Sequence, residues 1–205
     1  MIELYTSGTA NGHRAALALE ESGLPYKAHK LNLAAGDQRK PEYLKINPAG
    51  TIPAIVDQDG PGGKPLAIAQ SGAIALYVAE KSGKLLPKDP ARRAEAVRWL
   101  MHACTDCAVT SGAIFQLGNH APDKSPANVE FFEKRLLNML AVCEGRLAGR
   151  EYLADEFSVA DVALYPIVNQ RKALLEKAGT FPNLLAWWAR VGARPAIAKG
   201  MQVSV

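Results

Sequence analysis

Every strand signal in this chain lies before residue 70, and that asymmetry limits the folds open to it. Ile2–Tyr5 reads as a short strand. A loop, Thr6–Gly12, leads into a helix over His13–Ser22, rich in Ala, Leu and Glu and stopped by Gly23 and Pro25. Tyr26–Leu33 reads as a second strand and Glu42–Lys45 as a short helix before Asn47-Pro48. Ala54–Asp57 and Leu66–Ala69 are the third and fourth strands, separated by Asp59-Gly60 and Gly62-Gly63, a strong turn signal. Ser71 opens a helix over Gly72–Lys81, closed by Gly83. The order is β-α-β-α-β-β-α. A helical connection between the first two strands implies parallel pairing, and the short turn between the last two implies an antiparallel hairpin. A mixed four-stranded sheet in that order is the thioredoxin-like α/β arrangement.

After residue 83 the pattern changes. Leu85-Leu86-Pro87-Lys88-Asp89-Pro90 carries two prolines and reads as part of a linker over residues 84–90. Beyond it Ala91–Leu117 and Asn128–Leu147 are long helical stretches. In the second, Val129, Phe132, Leu136, Leu140, Cys143 and Leu147 form one apolar stripe. Ser158-Val159-Ala160-Asp161 is a capping-box start for a helix running to about Lys177. Asn183 begins another, through Trp187-Trp188, which Pro195 ends; one of the two Trp rings is expected in the core. The expected organisation is therefore two domains, α/β over 1–83 and all-helical over 91–205.

Composition decides which partners are plausible. With 48% hydrophobic and 21% charged residues the chain has the makings of a packed core. Lys and Arg number 24 against 20 Asp and Glu, and no block of like charge stands out beyond the pairs Arg39-Lys40 and Arg92-Arg93. Nucleic-acid binding asks for a clustered basic face, so it is not expected; a formal charge of +4 suits a small anion or simply a solvated surface. The N-terminus lacks a basic segment followed by an apolar run, and no run approaches the ~18 apolar residues of a membrane span. Cys104, Cys107 and Cys143 cannot make a disulfide framework, so a reducing cytoplasm is the expected compartment. His13, His29, His102 and His120 show no metal-ligand spacing with one another or with cysteine, and no metal is expected.

Three pieces of the first domain carry chemistry. In Thr51-Ile52-Pro53-Ala54-Ile55, a proline stands directly before a strand. A cis Ile52–Pro53 bond would leave the Ile52 N–H and C=O for a peptide-like ligand, while an ordinary trans proline starting the strand is the plainer reading. Gln70-Ser71 sits at a strand-to-helix junction, where unpaired N–H groups suit a carboxylate and where Ser71 also suits an N-cap. Thr9-Ala10-Asn11-Gly12-His13 opens the first helix without a cysteine. Its Thr9 hydroxyl, Asn11 amide and helix N–H groups would favour an anionic sulfur, although Asn11 is also a good helix cap. Cys104-Thr105-Asp106-Cys107 has redox spacing but lies inside a helix of the second domain, which favours buried structural thiols.

Taken together, Asn47-Pro48-Ala49-Gly50-Thr51-Ile52-Pro53-Ala54, the hairpin and Gln70-Ser71-Gly72-Ala73-Ile74 closely resemble the N-terminal domain of the cytosolic glutathione transferases. Ser158–Val162 and the Trp187…Arg194-Pro195 segment extend the resemblance over nearly the whole chain. The resemblance implies that Pro53 is cis, that the Ile52 backbone pairs with the cysteinyl part of glutathione, and that Gln70 and Ser71 hold its γ-glutamyl end. Gln38 is implied for the glycine end. Thr9-Ala10-Asn11-Gly12-His13 looks like the bacterial nu class, which includes glutathione-dependent disulfide-bond oxidoreductases, and implies that Thr9 and Asn11 bind the sulfur. Ser7 and Tyr5 are the other positions near the first strand from which this superfamily could activate a thiol. Gln70 departs from the class, where an acidic residue is frequent. The implied activity is disulfide or peroxide reduction with glutathione as cosubstrate. Conjugation to an electrophile, or ligand binding without turnover, are the alternatives. A homodimer is implied, with Trp99, His102, Ala103 or Phe115 lining the second-substrate pocket.

Overall fold

The computed structural model describes residues 1–203. They fall into two compact units, residues 1–87 together with the segment from Gly192 onward, and residues 88–191.

In the first unit the strands β1 (Ile2–Thr6), β2 (Tyr26–Lys30), β3 (Ala54–Asp57) and β4 (Leu66–Ala69) form one sheet in the order β2-β1-β3-β4. β1 and β2 are parallel, with Ile2 opposite Tyr26, and β3 runs antiparallel to both β1 and β4. The mixed thioredoxin-like sheet expected from the element order is thus present. β2 stops at Lys30 rather than Leu33, because Asn32 and Asp37 close a turn in which the Asn32 N–H donates to the Asp37 carboxylate at 2.7 Å. Helices α1 (Ala10–Ser22), α2 (Pro41–Leu44) and α3 (Ser71–Ser82) complete the α/β part. α1 and α3 pack together, and Ala15, Leu17 and Leu19 of the first and Ile74, Ala75 and Val78 of the second are fully buried. Each large aliphatic side chain so buried stabilises the unit by about 1.5–3 kcal/mol.

In the second unit the stretch read as one helix over Ala91–Leu117 is three pieces. These are α4 (Pro90–Met101), a π-helical turn (His102–Cys107) and α5 (Ala108–Asn119). Helices α6 (Pro126–Leu147), α7 (Val159–Ala178) and α8 (Pro182–Gly192) follow. Only the lower part of the α6 stripe is fully buried, through Leu136, Leu140, Cys143 and Leu147. The capping box at Ser158 and Asp161 is present, and Trp187 is fully buried while Trp188 is half-buried.

A last helix, α9 (Pro195–Gly200), has no counterpart in the sequence reading, which assigns everything from 91 onward to the helical domain. It packs on α1 and belongs to the first unit. Arg194 grips Glu21 with two hydrogen bonds of 2.7 Å, and Gly200 lies directly on Leu17. A Cβ there would come within 2.7 Å of a Leu17 methyl and 3.2 Å of the Leu17 backbone. Gly200→Ala is therefore expected to lower the first unit's stability by about 1–3 kcal/mol, read as a lower urea midpoint at unchanged slope.

Candidate active site at the end of the sheet

Strand register brings the three sequence pieces together. Tyr5 lies opposite Ala54, and Ala54 opposite Ala69, so the end of β1, the start of β3 and the end of β4 share one edge of the sheet. Beyond that edge run the Ser7–Thr9 loop, Ile52-Pro53 and Gln70-Ser71. The Ile52–Pro53 bond is cis, and among the described residues no hydrogen bond uses the Ile52 N–H or C=O.

α1 begins earlier than its composition suggests, at Ala10, with Thr9 rather than Asn11 as the N-cap. The Thr9 Oγ1 accepts from the Gly12 N–H at 3.1 Å. Gly12 is needed where it stands: a Cβ would sit 2.1 Å from the Ser7 carbonyl oxygen and 2.6 Å from the Thr6 hydroxyl. This close approach folds the loop back over the first turn of the helix.

Arg14, one turn on, is buried, and the sequence reading passes over it. Its Nη1 donates to the Asn11 Oδ1 at 2.9 Å and to the Ser71 Oγ at 2.5 Å. One guanidinium thus joins the start of α1 to the start of α3, which lie far apart in the chain. No local signal marks it, because its partner Ser71 is brought near only by tertiary packing.

Hydrogen-bond direction then determines what the site can bind. A guanidinium only donates, so the Asn11 carbonyl must face Arg14 and the Asn11 N–H₂ must face away from it; Asn11 is exposed. Ser71 accepts from Arg14 and Thr9 accepts from Gly12, which leaves each hydroxyl proton to donate elsewhere. Each side chain has its acceptor engaged inside the protein and its donor available for a ligand. The Gln70 backbone is unusual. Its φ of 73° and ψ of 114° are rare for a residue with a Cβ, and such strain concentrates at ligand sites. The correction to the sequence reading is that Gln70 is the N-cap of α3 and Ser71 its first residue.

The remaining residues divide clearly. Ser7 lines an open groove of 530 Å³ with Lys30, Asn32 and Asp37. Tyr5 stacks on His29 at 4.7 Å between ring centres, and burial followed by the Glu3 charge pushes its phenol up, the wrong direction for thiol activation. Gln38 turns its amide onto the Leu33 carbonyl at 3.3 Å, and among the described residues no contact ties it to the Arg14 cluster. Burial holds the His13 imidazole below its ordinary pKa, which keeps it neutral at pH 7. Of the residues expected to line a second pocket, Trp99 and Ala103 are buried, His102 bonds within its own unit, and Phe115 is exposed. No cluster of three or more His, Cys, Asp or Glu among the described residues could hold a metal, and no described helix is long and apolar enough to cross a membrane.

Known proteins resemble this chain along nearly its whole length. The family description "Glutathione S-transferase, N-terminal domain" matches residues 10–81, and its C-terminal counterpart matches residues 107–195. The disulfide-bond oxidoreductase YfcG of Escherichia coli is 35% identical over 203 residues, covering 98% of this chain and 94% of its own. A second E. coli disulfide-bond oxidoreductase, YghU, is 30% identical over 217 residues, covering 99% of this chain and 75% of its own. Among solved structures, a Pseudomonas putida glutathione transferase with one glutathione disulfide bound per subunit matches at a TM-score of 0.92 and 33% identity. It covers 100% of this chain and 92% of its own. A Burkholderia graminis glutathione transferase, with two glutathione molecules bound per subunit, matches at 0.91 and 35% identity, covering 98% and 87%. Matched in both halves by the family's domain descriptions, the chain belongs to the glutathione S-transferase family.

Proposed function

We propose that this protein binds glutathione at the edge of its sheet and uses the glutathione thiolate to reduce small disulfides or peroxides. The observation that carries this reading is the donor set made by Thr9, Asn11 and Ser71, organised by Arg14 where no protein cysteine is present. A thiol of ordinary pKa, ~8.5, is mostly protonated at neutral pH, and only the thiolate is a good nucleophile. The Asn11 N–H₂, the Thr9 hydroxyl and the first N–H groups of α1 stabilise the anion without titrating themselves, as an oxyanion hole does. Ser71, the strained Gln70 and the N-terminus of α3 hold the γ-glutamyl carboxylate. Ile52 pairs its backbone with the cysteinyl amide, and Gln38 takes the glycine end. The bound thiolate attacks one sulfur of a disulfide, a new S–S bond forms, and the other sulfur leaves as a thiolate. A second glutathione then resolves the mixed disulfide, giving glutathione disulfide. The names of YfcG and YghU, and the glutathione disulfide in the P. putida structure, support disulfide chemistry over conjugation. A homodimer in the cytoplasm is the working form we propose.

The test is glutathione-dependent reduction of 2-hydroxyethyl disulfide, run beside conjugation to chlorodinitrobenzene. Fast disulfide turnover with weak conjugation is the expected result. Strong conjugation with negligible disulfide turnover would overturn the reading and make the protein a conventional transferase.

A further inference from the structure

The helical unit holds sulfur chemistry of its own. Cys107 ends the π-helical turn and His102 begins it, and π-turns inside α-helices occur frequently at functional sites. The His102 Nε2 lies 3.6 Å from the Cys107 Sγ and 3.2 Å from the Met139 carbonyl oxygen, while its Nδ1 lies 3.0 Å from the Asp106 carboxylate. With a carbonyl at one ring nitrogen and a carboxylate at the other, both nitrogens face acceptors. Only the doubly protonated imidazolium satisfies both. On α6, which packs against the π-helical turn, the fully buried Cys143 stands one turn beyond Met139, whose carbonyl meets His102, and so lies on the face of α6 turned toward Cys107. Arg98 of α4 and Asp161 of α7 are the other charges that reach Cys143.

These neighbours act in one direction. The Cys143 S–H, opposed by burial and joined by His102, holds the Cys107 thiol down at about 6. The Cys107 sulfur, against burial and with help from Asp106, pushes His102 up to about 9. Cys143 is raised, by the neighbouring Cys107 sulfur and by burial, and stays a neutral thiol. A thiolate–imidazolium pair beside a second thiol is the arrangement of a reactive and a resolving cysteine. Of Cys104 and Cys107, both expected from the sequence as buried thiols, Cys107 is buried and Cys104 is partly exposed.

We propose that Cys107 and Cys143 form a dithiol that small hydroperoxides oxidise to a disulfide, tying the π-helical turn to α6. Because Cys107 is fully buried and His102 only partly exposed, the oxidant proposed is a small hydroperoxide and not a bulky disulfide. The Cys107 thiolate attacks the peroxide, the O–O bond breaks, and the leaving hydroxide takes the His102 proton to become water. Cys107 is then a sulfenic acid. The Cys143 sulfur attacks it, the S–O bond breaks, and the thiol proton leaves with the hydroxide as a second water. The two sulfurs lose two electrons and the peroxide gains them.

The experiment uses the reduced full chain and hydrogen peroxide without glutathione, so its outcome is independent of the glutathione site. Remaining thiols are blocked, and the links are mapped by peptide mass spectrometry. A Cys107–Cys143 link with Cys104 left alkylatable is expected. Cys143→Ser should stop at a Cys107 sulfenic acid, read as one added oxygen in the mass of the folded chain, and Cys104→Ser should not change the rate of link formation. His102→Gln should slow that rate at pH 7 by about tenfold or more, because an ordinary thiol is only a few per cent ionised there. A Cys104–Cys107 link, no Cys107–Cys143 link in the folded wild-type chain, or an unchanged rate in His102→Gln would each overturn the proposal.

Discussion

Asn11→Asp is expected to lower kcat/KM for glutathione-dependent disulfide reduction by about 10²–10³, the loss typical of removing one donor from an anion-stabilising site. The exchange is nearly isosteric. Arg14 Nη1, now 2.9 Å from the amide oxygen, would meet a carboxylate oxygen in a charge-assisted bond, so the start of α1 should stay in place. What disappears is the outward N–H₂, and what arrives is a negative charge beside the sulfur. The bound thiol should therefore titrate at higher pH, by about one unit or more. Thiolate absorbance of the glutathione complex across pH reads that shift directly, separately from turnover. An unchanged titration curve with unchanged kcat/KM would remove Asn11 from the sulfur site and turn attention to Ser7, which lines the adjoining groove.

The largest expected stability loss lies in the helical unit. Asp161 is fully buried, and its Oδ1 accepts from the Leu153 N–H at 3.2 Å and the Trp187 Nε1–H at 2.8 Å. Its Oδ2 accepts from the Ser158 N–H at 3.0 Å and the Ser158 hydroxyl at 3.3 Å. One carboxylate thus caps α7, anchors the segment before it and holds the buried indole of α8. Asp161→Ala leaves these donors in a dry interior and is expected to cost about 3–5 kcal/mol. At about 2–4 °C per kcal/mol for a chain of this length, the melting point should fall by roughly 10 °C. A fall of only a degree or two would show that water reaches the vacated carboxylate position. The pH dependence carries a sign of its own. Burial, only partly offset by the donors, raises the folded carboxyl to about 6, above its ordinary 3.8. The stabilising effect of the protonated group is full below pH ~4 and disappears as pH rises through about 6. Denaturant titrations at pH 4 and pH 7 should find that component in the wild type and not in Asp161→Ala.

How far the sequence could be read depended on whether the signal was local. β3 and β4 are bounded as expected because turn residues mark both ends. The α7 cap is visible because Ser158 and Asp161 lie one turn apart. Thr9, Asn11, Ile52, Gln70 and Ser71 stand out for the same reason, each at the end of a strand or the start of a helix. Arg14 does not, because its role depends on Ser71, brought near only by the packing of α1 on α3. The true start of α1 is hidden by Gly12, which reads as loop but is required inside the helix by the overlying Ser7 carbonyl. α9 is missed because a short segment after Pro195 has no periodicity of its own and gains its structure from resting on Leu17. The π-helical turn is invisible in composition, since nothing in His102-Ala103-Cys104-Thr105-Asp106-Cys107 distinguishes it from an α-helical turn. Gln70 shows the limit most plainly: nothing in a glutamine announces a positive φ, and only the completed junction imposes it.

The shared guanidinium has a consequence for how such a protein can diverge. Asn11 and Ser71 belong to distant stretches of chain, yet each leans on the same nitrogen of Arg14. A substitution at either one changes the partner available to the other, so their effects on affinity should not add. Lineages drifting at one of these positions would carry a compensating change at the other, and a library that varies them one at a time would miss combinations that work. Recombining the first helix of one relative with the third helix of another is therefore a harder step than their separation in sequence suggests.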